Sequence, residues 1–470
     1  MFQSSSAVRE RVPLMLSVRA DAFNALQFFI PAPQNRLPRN SQHAWFYSLA
    51  VFLLVMMAGL ARRRGTWSIR LALFPFAMFT MLRFIYGFVG RDEPINRAFG
   101  MWGLQYCLKL MDYVHSPDPM LKLSEAQADK DAARPSQPPA TTSSALLMVP
   151  FSFVYDAFEL LFTFRGFDWQ FGIETGIRRP REWLPATSRA LFALKSVFIV
   201  LRDLLLCDII QTTIHMASLG GIERGSMFAF GGGNLILRYS VSTTLHILSG
   251  VAVMYRLEFI YTVFSLIGVL LCGSNPSSWP PLFDSPWIST SLHDFWGRRW
   301  HQLFRRSFLI GGGYPLAAAV GWMVSVRKKH APSSADGATG KKKSSITPAA
   351  LAIGTCLVSG LVHNGDYYAQ RDSRMPGVST IAFFATQGVA MALEREWKRM
   401  TGRQVNGIWG WLWVFIWMAV LAQPFMETWH QLGFLDSLFI LRERSPTRLF
   451  IIPFFRSKIP NLIPEFLSLN

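Results

Sequence analysis

Long apolar runs recur along this chain, and they constrain its fold more than any other feature. A helix needs about 20 apolar residues to cross ~30 Å of hydrocarbon at ~1.5 Å per residue. Residues 44–61 form such a run without a charge, and 71–89 form a second that contains Arg83. Further runs lie near 187–211, 227–237, 245–272, 307–326, 347–363, 377–393 and 408–425, with a last one near 432–441. Inside lipid every backbone polar group must be paired within the segment, so these runs read as helices. The chain is therefore expected to be all-α, a polytopic transmembrane helical bundle of about eight to ten spans with an internal polar chamber. Segments 97–113 and 146–164 are interrupted by Lys109, Asp112, Asp156 and Glu159, which suits interfacial or bundle-interior helices.

Composition agrees. Charged residues are 16% and hydrophobic residues 51% of 470, where a soluble globular protein carries about 25% charged residues. The net charge of +18 raises nucleic-acid binding as a reading. Much of the basic charge, however, flanks apolar runs: Arg62 to Arg64, Arg327 to Lys329, and Lys341 to Lys343. Cations beside a span set orientation and attract anionic headgroups, and no soluble basic domain is visible, so the bilayer is the expected partner and nucleic acid is not. Cys107, Cys207, Cys272 and Cys356 are far apart, without a CxxC or Cys/His pairing. They read as small apolar core residues, and no metal site is expected.

Three regions follow from these patterns. Residues 1–115 hold the first two spans and no cleavable signal peptide, so the first span would act as the insertion signal. Residues 116–145 form a polar loop, and the Pro-, Ser- and Ala-rich stretch 116–143 reads as disordered. Residues 146–470 form the helical core, interrupted by a flexible basic loop at 327–345 with the composition of a cytosolic connector. No internal repeat is visible, which counts against a transporter built from duplicated halves.

Charges inside spans need a partner or a wet cavity. Lys195 and Arg202 share a helix face beside Asp203, and Arg256 and Glu258 interrupt 245–272. Interhelical ion pairs are the plain reading of these groups, and a bundle with a polar interior is the reading of the set. His215, His246 and His363 fall within or beside apolar runs. His363 stands apart because Ser359 and Gly360 lie one turn before it, where a neighbouring helix or a ligand can approach closely. A neutral imidazole in a poorly hydrated chamber can accept a proton.

The segment 273–306 is the most informative. Four prolines between Gly273 and Trp287 fix a non-helical path. Ser291 with Asp294 then reads as a helix start, and Leu292, Phe295, Trp296, Trp300, Leu303 and Phe304 recur at helical spacing. Arg298, Arg299, Arg305 and Arg306 lie largely off that stripe. An amphipathic helix on the headgroups is one reading. Guanidinium groups gripping a phosphorylated cosubstrate by forked hydrogen bonds are the other, and the two are compatible.

The string Pro281-Leu-Phe-Asp-Ser-Pro-Trp-Ile-Ser-Thr-Ser-Leu-His-Asp-Phe-Trp-Gly-Arg-Arg-Trp-His301, followed by Ser359-Gly-Leu-Val-His363, resembles the wax-synthase-like branch of the membrane-bound O-acyltransferases. Arg165-Gly-Phe-Asp-Trp169 is similar to a shorter element of that branch. The strong resemblance covers 280–365; the remainder agrees in hydropathy. It implies transfer of an acyl group from a coenzyme A thioester to a hydroxyl of a lipid or hydrophobic metabolite, without a permanently bound cofactor. It places the catalytic histidine on His363. The position after Arg-Arg-Trp, often Asn in the family, is His301 here, either a hydrogen-bond donor in place of the amide or a structural residue. Asn364 stands where relatives often have an acidic residue, and no chemical role is carried over to it. Arg298, Arg299, Arg305 and Arg306, with Trp300, are the expected coenzyme A contacts.

The implied chemistry is general-base catalysis, worth about 10²–10⁴-fold, and holding thioester and alcohol together adds a larger acceleration. Relatives with this wording include fungal-type enzymes that acetylate terpenoids and other secondary metabolites. Acetyl-CoA with a hydrophobic alcohol in the endoplasmic reticulum is therefore the expectation. Wax ester synthesis from a long-chain alcohol, a membrane transporter and a non-catalytic scaffold remain alternatives. One topological tension stands. If 307–326 crosses fully and 327–345 is cytosolic, 273–306 lies on the opposite side from cytosolic coenzyme A. A broken or re-entrant segment at Gly311 to Gly313 and Pro315 would remove it.

Overall fold

The computed structural model of the chain describes residues 27–90, 93–132, 149–180, 185–217, 226–228, 233–329, 346–369, 378–431, 440 and 444–458. It divides into two compact units, Met1–Phe164 with Leu361–Pro376, and Arg165–Gly360 with Gly377–Asn470. Among the described residues five helices are long and apolar enough to cross a membrane: Ser41–Ala61, Trp67–Tyr86, Leu235–Leu270, Arg305–Val326 and Gly407–Gln431. Three more helices, Arg189–Ala217, Ile346–Tyr368 and Ser379–Thr401, exceed 20 residues in length. The fold is all-α, as the apolar runs predict. Its β content is one parallel pair of two-residue strands, β1 (Leu37–Pro38) and β2 (Phe88–Val89), among the described residues.

In the first unit, α1 (Ala44–Ala61) packs with α2 (Trp67–Tyr86), α3 (Glu93–His115) and α5 (Val149–Phe162), α2 packs with α3, and α4 (Leu123–Ala132) lies between α3 and α5 in sequence. Arginine side chains tie these elements together. Arg62, beyond the end of α1, donates to both oxygens of Glu125 at 2.6 and 2.8 Å, and Arg63 donates to Asp156 at 2.8 Å. The expectation that these cations face lipid headgroups is corrected for Arg62, whose side chain is only 5% exposed. The expected disorder of 116–143 is corrected over Leu123–Ala132, which is helical because Glu125 meets Arg62 and accepts the Lys122 N–H; residues 133–143 lie outside the described residues. Lys109, a charge within an apolar run, donates to the carbonyls of Leu160 and Thr163 at the end of α5. A cation there satisfies carbonyls that the helix itself leaves unpaired.

In the second unit, α6 (Gln170–Glu174) precedes an antiparallel pair, α7 (Arg189–Ala217) and α8 (Leu235–Leu270). The separate runs 227–237 and 245–272 are corrected to one helix from Leu235, capped by Asn234. The polar stretch between them does not break it, because Ser242 and Thr243 find a partner in Gln423. Arg202 bridges its neighbour Asp203 at 2.6 Å and, across to α8, Glu258 at 2.9 Å; the second is the interhelical pairing expected of Arg202 and Glu258. Cys107, Cys207 and Cys356 are buried as expected, but Cys272 is exposed, just past the end of α8. The apolar run at 432–439 and the basic loop at 330–345 lie outside the described residues.

Candidate functional site

The Pro-rich segment is shaped by residues more than a hundred positions upstream. Arg165 is buried and donates to the carbonyls of Pro280 at 2.8 Å and Pro281 at 3.0 Å, and to the Tyr261 hydroxyl at 3.3 Å. Asp168 takes a left-handed backbone with φ of 69°, and its carboxylate accepts from Ser278 and Arg179. Asp tolerates that conformation better than most residues. The Arg-Gly-Phe-Asp-Trp element is therefore a clasp on the loop that leads into the motif.

Beyond the loop, Ser291 accepts the Asp294 N–H at 3.0 Å and starts α9 (Leu292–Asp294), as its spacing predicts. The helix then widens into a π-turn, Phe295–Arg299, and stops at Trp300. The expected amphipathic helix through 306 is corrected here. Gln302 donates to the carbonyls of Trp296 and Trp300, and the Asp284 N–H takes the Arg299 carbonyl, so acceptors that would continue the helix are already used. The stripe does not lie on headgroups either. Leu292, Phe295, Leu303 and Phe304 are buried, and Leu292 and Phe295 join Ala390 and Val414 in one core with Trp296, Trp300, Trp413 and Trp417 against it.

α10 (Arg305–Phe308) leads through a second π-turn, Leu309–Gly313, into α11 (Tyr314–Lys329). The broken or re-entrant segment that these glycines leave open is not seen: Arg305–Val326 runs as one span-length helix. The glycines serve a close approach instead. Gly312 lies against the backbone of Gly354 in α12 (Ile346–Tyr368), so tightly that a Cβ on either would overlap the other's carbonyl.

The predicted cosubstrate arginines are held by internal partners. Arg298 donates to Asp284 at 3.1 Å, and Arg299 donates to Asp294 and to the Asp284 carbonyl. Arg305 donates to the carbonyls of Thr175 and Gly297 and to Gln302 Oε1. Arg306 faces Glu174 at 3.4 Å and lies over the Phe171 ring. Trp300 stacks on Phe295 with centroids 5.4 Å apart, and the His301 ring sits among Phe283, Trp300 and Phe304.

His363 is half-buried near the end of α12, in the part of that helix that belongs to the first unit. That end is pinned. Tyr86 donates its hydroxyl to the Gly365 carbonyl at 3.1 Å, and Arg36 donates to the Tyr368 carbonyl at 2.6 Å while lying over its ring. A Cβ at Gly365 would meet Leu104 and the Tyr86 hydroxyl at 2.7 Å, so those side chains would have to shift to admit one. One turn before His363, Gly360 admits α13 (Ser379–Thr401) to within 3.1 Å of a Cβ position, the close approach its small size predicts. His246, by contrast, is a packing residue whose Nε2 lies 2.6 Å from the Met418 carbonyl. The His215 side chain lies outside the described residues.

Sequence reading missed residues on α13 and before α1. Glu394 accepts from the Leu292 N–H at 2.6 Å, the His293 N–H at 3.0 Å and Trp413 Nε1 at 2.9 Å, so it caps α9 from a hundred residues away. Gln387, fully buried, accepts from Trp296 Nε1. Arg36 and Tyr86 gave no local signal for contact with 365–368.

Comparison with known proteins bears on the same segment. Residues 279–386 match the membrane bound O-acyl transferase family. The chain is 24% identical to the acetyltransferase eriL of Hericium erinaceus over 38% of its own length and 44% of the relative's. It is 26% identical to the acetyltransferase atnC of an Arthrinium species, over 36% and 37%. It is 30% identical to a probable long-chain-alcohol O-fatty-acyltransferase of Arabidopsis thaliana, over 31% and 37%. The chain thus spans less than half the length of these relatives.

Proposed function

We propose, from the premise that residues 279–386 form a membrane bound O-acyl transferase segment, that this integral membrane chain is an acyl-CoA-dependent O-acyltransferase. The observation that carries the reading is that this segment takes in both His301 and His363. The acetyltransferase names of the fungal relatives support acetyl-CoA as donor and a hydrophobic secondary metabolite, such as a terpenoid alcohol, as acceptor. The Arabidopsis relative favours a second reading, fatty acyl transfer to a long-chain alcohol. The endoplasmic reticulum is the proposed membrane.

In this mechanism His363 removes the hydroxyl proton as the alcohol oxygen attacks the thioester carbonyl. The new C–O bond forms, the C–S bond breaks, and the departing thiolate takes the proton from the His363 imidazolium, which leaves free coenzyme A, the ester and a neutral His363. The base contributes about 10²–10⁴-fold. Its orientation rests on the pinned turn: Arg36 and Tyr86 fix the carbonyls of Tyr368 and Gly365 just beyond it. His301 donates a hydrogen bond where the family often uses an amide. Burial within lipid limits hydrolysis of the thioester.

The test is product formation by membranes carrying the chain, supplied with labelled acetyl-CoA or palmitoyl-CoA and a panel of hydrophobic alcohols. An ester is expected from acetyl-CoA, and its absence with every pair overturns the reading. An ester formed only from palmitoyl-CoA and a long-chain alcohol selects the second reading.

A further inference from the structure

Three helices of the first unit meet at the turn that follows His363. Gly103 on α3 lies so near Ile85 on α2 that a Cβ would overlap the Ile85 side chain, and the next residue, Leu104, lies against Gly365 on α12. Tyr86, which follows Ile85, donates its hydroxyl to the Gly365 carbonyl. All of these residues belong to that one compact unit, as does His363. These contacts hold α3 against α12 two residues beyond His363.

A carboxamide flanks the Leu104–Gly365 contact on each helix. Gln105 follows Leu104, and Asn364 stands between His363 and Gly365. Gln105 is 1% exposed, and neither its Oε1 nor its Nε2 has a hydrogen-bond partner among the described residues. Oδ1 of Asn364 is likewise buried without a partner among them. Nearby polar groups are engaged elsewhere. Lys109, one turn beyond Gln105, donates to the carbonyls of Leu160 and Thr163, and the Tyr86 hydroxyl is used by Gly365. A buried amide without a partner weakens a fold, and an apolar side chain of similar size would avoid that loss. Two such amides beside one helix contact make a site suited to a hydrogen-bonding ligand.

The open groups define that ligand. The Gln105 and Asn364 carbonyls need a donor, and the Gln105 NH2 needs an acceptor. A ketone or an ether only accepts and leaves both carbonyls unmet. A hydroxyl donates to a carbonyl and accepts from the NH2 at once. The reacting hydroxyl of the acceptor is engaged at His363, so this one is another. We propose that Gln105 and Asn364 bind a second hydroxyl of the acceptor, which makes the substrate an oily diol. This rests on the acyltransferase reading with His363 as base. It separates the two acceptor classes named above, because a plain long-chain alcohol leaves both amides unpaired and a site built to bind a hydroxyl rejects such an analogue.

The experiment uses the full chain in phosphatidylcholine nanodiscs, with straight-chain α,ω-diols of graded length and the 1-alkanols of equal length as probes. With acetyl-CoA the preferred diol should exceed its matched alkanol in kcat/KM by at least about tenfold. Gln105→Leu and Asn364→Leu should each lower the diol's kcat/KM by about 10–100-fold, mainly through KM, and so erase the preference. Without any thioester the diol should raise the melting temperature of the wild type more than the alkanol does, and this difference should vanish in both variants. Ligand-free Gln105→Leu should melt no lower than the wild type, because it removes an unpaired amide; an amide that serves packing, or that a bound water completes, gives the opposite result. Gln105→Met, unbranched like glutamine, repeats each measurement if the leucine variant does not accumulate. A lower ligand-free melting temperature in the Gln105 variants, or a diol preference that survives in them, overturns the site. Ester formed equally well from diols and alkanols by the wild type also overturns it and leaves the acyltransferase reading standing. Gln105-dependent stabilisation by a diol, without ester from any thioester, leaves the site standing and overturns that reading.

Discussion

The indole N–H of Trp296 donates to Oε1 of Gln387 across 3.1 Å, joining the motif turn to α13 inside the second unit. An indole nitrogen only donates, so this bond fixes which end of the amide faces the ring. Gln387 has no solvent exposure, and the bond gives its carbonyl a partner within the core. Replacing Gln387 by Leu should cost about 1–3 kcal/mol, because Trp296 loses its acceptor. A thermal-melt cycle with Trp296→Phe checks this: the second substitution should cost little once the first is made, and full additivity would show that the bond carries no energy.

His363→Ala should lower the rate of ester formation by about 10²–10⁴-fold while the protein accumulates normally. Single-turnover assays on washed membranes measure this. An unchanged rate removes His363 from the mechanism. Arg36→Gln should also reduce the rate, by a smaller factor, because it frees the end of the helix bearing His363 without touching the imidazole.

Arg165→Lys should not rescue Arg165→Ala. One terminal nitrogen, Nη1, reaches two adjacent carbonyls and a phenol, and the lysine side chain is one bond too short to place its ammonium at that point. Each change should destabilise by about 2–3 kcal/mol, and hydrogen exchange should rise across 273–286. Protection equal to the wild type in the Lys variant would show that charge alone suffices.

Gly354→Val should destabilise by about 1–3 kcal/mol through overpacking, since the Gly312 backbone occupies the space of the new side chain. Gly321→Ala, in open space on the following helix, should not destabilise. Melting temperatures in detergent compare the two.

The packing of protein around the His293 ring, and then Arg305, Arg395 and Lys398, hold its pKa below the ordinary value against the pull of Asp294. The unfolded chain protonates this ring near pH 6.5, the folded chain only at lower pH. Between those values the unfolded state binds more protons, so stability falls as the pH drops below about 6.5. Solvent at the exposed ring screens the effect, so it is small. The acid-side loss of Tm should shrink in His293→Gln, and identical pH profiles would deny the coupling.

The sequence by itself determined that the chain is a helical membrane protein, because a span needs only local apolar length and internally paired backbone. It also determined the start of α9 at Ser291, since a cap is made within one turn, and it located the segment that resembles the acyltransferases. Where α9 ends was not legible, because Gln302 and Asp284 compete for its carbonyls and helical spacing does not record that competition. Nor was the fate of the arginines. Arg298 and Arg299 look free in a linear reading; the folding back of Asp284 supplies the carboxylate for Arg298, and Arg299 pairs with Asp294 in the same turn. Arg36, Tyr86, Gln387 and Glu394 act across roughly a hundred to more than three hundred residues. Such contacts are set by which helix faces meet, and tertiary packing alone decides that.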